Sequence, residues 1–226
     1  MRIFSKLIVV SIVVFMAQVA LAFSVCIDPC HPSEVNSGET VSNGLQEVKI
    51  CWQVSLLLKK KLVEAGVKVV MTKTSELQLV TNRRRAEIAN ENKVDMAIRL
   101  HADAGSGTGF TAYYPRKQGI KFGVTGPSKS VLEACDRVAK IFHPAFAKGL
   151  TGELRNNGLK GDESTFHGRI QGALTGSIFS KVPVLLIEMC FLTNKKDADW
   201  IRQEKNKEKM ASALAAGILT VRNAKR

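Results

Sequence analysis

The chain has 226 residues, 33 Lys and Arg against 20 Asp and Glu for a formal net charge of +13, and an aromatic content of only 6%. That length makes one domain with a real core, and so few aromatic residues argue against a platform that stacks nucleic-acid bases. The charge points instead to anionic envelope polymers and lipid head groups, although a lysine-rich solvated surface fits the same numbers.

The first six residues are basic, residues 7–17 are almost wholly apolar, and Ala20-Leu21-Ala22 has the small-x-small form that a signal peptidase reads. Residues 1–22 are therefore expected to be a removed export signal. A retained membrane anchor is the alternative, with an apolar run near the lower length limit for a span. Removing 22 residues from 226 leaves 204, and losing Arg2 and Lys6 takes the charge from +13 to +11. The expected location is secreted, in the periplasm or cell wall, with no stable membrane insertion once the signal is gone. Five cysteines, Cys26, Cys30, Cys51, Cys135 and Cys190, are an odd number without a C-x-x-C pair, so they read mostly as small buried apolar residues.

In chain order, Ser24-Val-Cys-Ile-Asp28 predicts a first strand that runs into Pro29-Cys30-His31. Residues 47–65 place Ile50, Val54, Leu57, Leu58, Leu62 and Ala65 at steps of three and four, one helix face that Gly66 closes. A strand over 67–71 follows, then a helix from Thr81 or Asn82 to about Asn92. Residues 96–101 and 109–114 read as strands. Ser130-Val-Leu-Glu133 has the capping-box form and opens a helix whose Val131, Cys135, Val138, Phe142 and Ala145 share a face. Residues 147–181 carry seven glycines and no clear period, which predicts a long loop bordering or covering a cleft. A strand over 182–188 and a helix over 207–221, striped by Met210, Leu214, Ile218 and Val221, complete the chain. Strands alternating with amphipathic helices predict a single α/β domain, residues 23–226, with a mostly parallel twisted sheet and helices on both faces.

Three of the apolar runs stop at residues that bind or work with metals: the first at Pro29-Cys30-His31, the third at His101, the last at Glu188. Polar groups at the carboxyl ends of parallel strands converge although far apart in sequence. Two histidines there suggest zinc, which needs about three nitrogen or oxygen ligands and an open position. Glu34, Glu39 and Glu47 are candidates for the third ligand, with Glu47 favoured because a helix start holds it and favours its ionised form. Glu188, ending an apolar run, is expected to be desolvated and to shuttle protons. His143 and His167 read as structural, and Arg83-Arg84-Arg85 as a solvated helix start with one buried partner. Asp28 and Asp103 fit either orientation of ligands or turn capping.

Asp28-Pro-Cys-His31, Gly44-Leu-Gln-Glu47, Arg85-Ala-Glu-Ile-Ala-Asn90, Ile98-Arg-Leu-His-Ala-Asp103 and Val184-Leu-Leu-Ile-Glu-Met-Cys-Phe-Leu-Thr-Asn194 together resemble the successive signatures of the zinc-dependent N-acetylmuramoyl-L-alanine amidases of the third amidase family. The resemblance implies peptidoglycan as substrate, Zn2+ as cofactor, His31, Glu47 and His101 as ligands and Glu188 as the catalytic glutamate. The chain departs from that pattern where Cys30-His31-Pro32 replaces a Gly-His-Gly run and where a glycine near Cys190 is missing. That departure sets Cys30 beside the expected metal, where it could become an adventitious ligand. Two other readings stand: a cysteine peptidase using Cys30 or Cys190 with His101, and a basic wall-binding protein without catalysis.

Overall fold

The structure is a computed structural model that describes residues 23–34 and 41–225; the expected signal over 1–22 and the candidate ligand Glu39 lie outside the described residues. The chain first lays down β1 (Ser24–Pro29), a hairpin of β2 (Val41–Ser42) and β3 (Leu45–Gln46), α1 (Glu47–Glu64), β4 (Lys68–Met71), α2 (Asn82–Glu91) and β5 (Met96–Asp103). Next come β6 (Phe110–Tyr114), a second hairpin of β7 (Gly119–Lys121) and β8 (Val124–Gly126), α3 (Lys129–Lys148) and β9 (Asn156–Gly161). The remainder is α4 (Phe166–Gln171), α5 (Thr175–Ile178), β10 (Val184–Phe191), α6 (Lys195–Arg202) and α7 (Glu204–Lys225).

The central sheet has the order β4-β1-β5-β10-β6-β9. β4, β1, β5 and β10 are mutually parallel, and β6 turns the chain round to pair antiparallel with β10. The sheet is thus mostly parallel, with helices on both faces. Its inner strands are largely apolar because both faces are covered: Val25, Cys26, Ile27, Ile98, Leu100, Leu185 and Ile187 are all fully shielded from solvent.

α1, α3 and α7 pack together over one face, and α2 with α5 covers part of the other. The α3–α7 crossing is close. A Cβ at Gly217 would lie 2.6 Å from the Phe142 ring, and one at Gly149 would lie 2.7 Å from the Ala213 side chain. Phe146 stands at the centre, its ring 5.2 Å from that of Phe142 and 5.0 Å from that of Phe110, spacings that suit aromatic pairs.

Two readings of the sequence need correcting. α3 is capped by Ser128, whose hydroxyl accepts the Val131 N–H at 3.3 Å, rather than by Ser130. Its buried face is Cys135, Ala139, Phe142 and Phe146, so Ala139 and Phe146 take the places that the sequence stripe gave to Val138 and Ala145. The expected loop over 147–181 holds the edge strand β9 and two short helices. β9 is polar because an edge strand faces solvent on one side, and helices of six and four residues are too short to show a period. β9 begins with Asn156 opposite Phe110, near the strand end that carries Glu188, and finishes with Gly161 opposite Tyr114, toward the other end of the sheet.

Candidate active site

Glu47 is mounted by a hairpin that the sequence signals with Asn43-Gly44, a pair suited to two-residue turns because both residues take positive φ, here 50° and 70°. Asn43 Nδ2 donates to the Leu192 carbonyl at 2.7 Å, and Arg202 donates to the Asn43 carbonyl at 2.5 Å. β3 leads directly into α1, so Glu47 is the first residue of an 18-residue helix, and its Oε1 accepts the Ala102 N–H at 3.1 Å.

The turn carrying His31 is held from beneath. Lys73 is 1% exposed, and its ammonium donates to the carbonyls of Cys30 at 3.0 Å, His31 at 2.5 Å and Glu76 at 2.7 Å. Arg85 donates to the Pro29 and Pro32 carbonyls at 2.7 and 2.8 Å. It also binds Asp28 Oδ1 at 2.5 Å, while Arg99 Nε binds Asp28 Oδ2 at 2.9 Å and the Thr72 hydroxyl donates to Oδ1. Burial would raise the Asp28 pKa, but Arg85, Arg99 and Thr72 outweigh it and hold the carboxyl well below the usual range. Asp28 is therefore the centre of a buried ion cluster, and Arg85 is the one buried member of its arginine triplet, since Arg83 and Arg84 pair with Glu87 and Glu91 at the surface.

On this support Glu47 and His101 meet, and the His31 ring lies beside that of His101. His101 Nδ1 stands 3.1 Å from Glu47 Oε1, and the His31 and His101 rings lie 5.2 Å apart, nearly perpendicular at 86°. Two ligand atoms of a tetrahedral ion at bond lengths of about 2.0–2.1 Å are separated by about 3.3 Å, so the Glu47–His101 pair has the right spacing. His101 Nε2, which points away from any ion held through Nδ1, is buried with no hydrogen-bond partner among the described residues, a polar atom that calls for one of its own. Burial, then the neighbouring His101, lowers the His31 pKa to about 4, leaving the neutral imidazole that binds metals. Burial works against ionisation of Glu47, but the His101 contact and the Ala102 N–H prevail and lower its pKa. Among the described residues the donors whose ligand atoms all lie within 4.8 Å of one another are those of Cys30, Glu47 and His101, a group that could hold a metal ion and that takes in Cys30 rather than His31.

Of the other candidates, Glu34 is engaged elsewhere, accepting the Asn82 N–H at 2.8 Å. His143 faces Asn156 and His167 packs edge-on to Phe166. Asp103 accepts the N–H of Ala104 in a turn.

Glu188 faces this cluster from the next strand. In the β5–β10 register it pairs with His101, and adjacent strands are about 4.7–4.9 Å apart. Its Oε2 is buried with no hydrogen-bond partner among the described residues. Burial, then the charges of Asp103 and Glu47, pushes its pKa well above the ordinary glutamate range. A carboxyl in that state is suited to accept and return a proton near neutrality. The cysteine-nucleophile reading loses ground here, because Cys30 and Cys190 are both buried and burial pushes both thiols far up.

A doubly covered, mostly parallel sheet with donor groups and a desolvated carboxylate converging at its carboxyl edge defines a hydrolase. Residues 25–220 match the family described as N-acetylmuramoyl-L-alanine amidase, and the chain belongs to it. That family hydrolyses the amide joining N-acetylmuramic acid to L-alanine in peptidoglycan. The chain is 30% identical over 197 residues to the uncharacterised protein YqiI of Bacillus subtilis (strain 168), a match covering 86% of this chain and 82% of that one. It is 29% identical over 195 residues to the amidase CwlM of Bacillus licheniformis, covering 85% and 66% respectively. In fold it resembles the N-acetylmuramoyl-L-alanine amidase from Clostridium difficile 630, with a TM-score of 0.73 at 22% identity over 91% of this chain and 99% of that one. A TM-score of 0.74 at 19% identity, over 89% and 97%, relates it to Ami1 from Mycobacterium smegmatis.

Proposed function

We propose that the chain is an exported, zinc-dependent amidase in which His31, Glu47 and His101 hold the ion and Glu188 is general base and then general acid. The observation that carries this reading is the pairing of Glu188, with its partnerless buried oxygen, against His101 in the β5–β10 register. Zinc, when bound, supplies Lewis acidity to the lactyl carbonyl and to the attacking water. Glu188 takes a proton from the water as its oxygen bonds to the carbonyl carbon, and gives that proton to the alanine nitrogen as the C–N bond breaks. Glu47 and His31 stay fixed, held by the hairpin before α1 and by the carbonyl bonds of Lys73 and Arg85.

In the same reading, residues 1–22 are the export signal, the mature chain works in the periplasm or cell wall, and its positive charge draws it to anionic envelope polymers. The test combines metal analysis with mass spectrometry of digested peptidoglycan. Glu188→Gln is expected to keep fold and zinc and to lose hydrolysis by about a hundredfold or more; His101→Ala is expected to lower zinc per chain. Near-normal turnover by the first, or unchanged zinc in the second, removes the assignment.

A further inference from the structure

The β7–β8 hairpin, packed against α5 and α4, forms with α4 a surface that amide hydrolysis does not use. Ile120, Phe122, Phe166 and Ile170 are 63%, 68%, 70% and 71% exposed, and Val124 is also exposed. Phe166 and Ile170 lie one turn apart on α4, and Ile120 and Ile170 line the same groove. Phe122 occupies the hairpin tip with φ 50°, beside Gly123 at 73°. Its ring stacks on Phe179 at 6.4 Å, and the Arg83 guanidinium lies over Phe179 at 5.1 Å. The hairpin is therefore fixed against the body of the protein while still presenting Phe122 outward.

Cations outnumber acids at this surface, whose nearby carboxylates are Glu163 just before α4, Glu133 and Asp136 beside Arg116, and Glu87, which pairs with Arg83. Residues 104–132 and 164–187 contain no Asp or Glu, and they carry Arg116, Lys117, Lys121, Lys129, Arg169 and Lys181. Lys121 holds its ammonium 5.2 Å from the Phe122 ring centroid, a cation directly beside an apolar tip. Such clustered large apolar side chains mark an interaction site. A hydrophilic polyanion gives the phenylalanines and isoleucines nothing to enter, and a second copy of the chain would set six cations against six. An anionic bilayer satisfies both features, taking the apolar side chains into the head-group boundary and the cations against lipid phosphates.

We propose that this face docks the protein peripherally on an anionic membrane surface. The proposal does not depend on the metal or on the assignment of Glu188.

The five native cysteines are buried, so an introduced surface thiol can be labelled selectively. Full-length protein carrying an environment-sensitive dye at Thr125→Cys, opposite Ile120 in the hairpin, is mixed with vesicles of phosphatidylglycerol and phosphatidylcholine or of phosphatidylcholine alone. A label at Lys196→Cys, on α6 after β10, is the control. A local dye reads this face whatever residues 1–22 do. The expected result is a blue shift at position 125 with anionic vesicles only and none at position 196. Combining Phe122→Ser, Phe166→Ser and Ile170→Ser should weaken that response roughly tenfold or more, with unchanged release of L-alanine-linked peptides from soluble muropeptides. No shift at 125, equal shifts at both positions, or a response indifferent to the three substitutions overturns the proposal. So does an equal response to soluble polyglycerol phosphate, which would assign the face to an anionic polymer.

Discussion

Lys73→Met tests whether the His31 turn is held from below. The ammonium makes three hydrogen bonds to carbonyls, two of them on the peptides of Cys30 and His31, and its aliphatic stem passes near Trp52, with Nζ 5.7 Å from the ring centroid. Methionine keeps most of the stem volume and removes the charge. Hydrogen bonds from a charged donor contribute about 1.5–3 kcal/mol each, so the gross loss is roughly 5–9 kcal/mol. Much of this is offset, because methionine has no ammonium to strip of water, a cost of several kcal/mol for a buried ion. Burial indeed pushes the Lys73 pKa down. A net destabilisation of about 2–4 kcal/mol remains. Urea unfolding should show a lower midpoint with an unchanged slope, and zinc affinity, measured by competition with a chelator, should fall because the freed carbonyls let His31 drift. A loss below about 1 kcal/mol together with unaltered zinc affinity would refute the reasoning, since it would mean the turn is set by its own sequence.

Asp103→Asn removes the charge that, after burial, most raises the Glu188 pKa. A base must be ionised to act, so the acid limb of kcat/KM should move to lower pH in the variant; a limb that stays or rises contradicts the electrostatic account. Cys30→Ser distinguishes two ligand sets. If His31, Glu47 and His101 hold the ion, zinc per chain is unchanged and cobalt-substituted protein lacks a thiolate charge-transfer band, whereas a band abolished by Cys30→Ser would make Cys30 a ligand.

Much of the fold was legible because it is repetitive. β1, β5 and β10 are apolar runs ended by polar residues, and α1 and α7 carry stripes at helical spacing, so pattern alone reaches the parallel part of the sheet. What it missed has a physical cause in each case. β9 is an edge strand with a single apolar side chain, Leu159, and nothing in Asn-Asn-Gly-Leu-Lys-Gly alternates. The antiparallel turn of β6 depends on the connection to β10 rather than on any residue within it. At the site, strand ends pointed to His31, His101 and Glu188, and the helix start favoured Glu47 over Glu34; the structure places Glu34 against Asn82 and Glu47 against Ala102 beside His101. The Asn43-Gly44 turn was a readable signal that the Ser/Gly/Asn-rich context obscured. Lys73 was not readable at all: a lysine two residues beyond β4 looks solvated until the chain folds over it.

The two site glutamates show why position matters more than residue type. Glu47 sits at a helix start, accepts a backbone N–H and lies beside an imidazole, and each of these favours the anion. Glu188 ends an apolar strand, has one oxygen without a partner and faces the negative charges of Asp103 and Glu47. Their pKa values are pushed in opposite directions, and under the proposed mechanism that divergence separates a charge that holds a cation from a group that exchanges protons. Arg99 limits the divergence, since it lies on β5 two residues before His101 and lowers the Glu188 pKa. Its guanidinium is held by Asp28 and Asn82, so the ion cluster beneath the His31 turn also tempers the proton affinity of the carboxylate across the site.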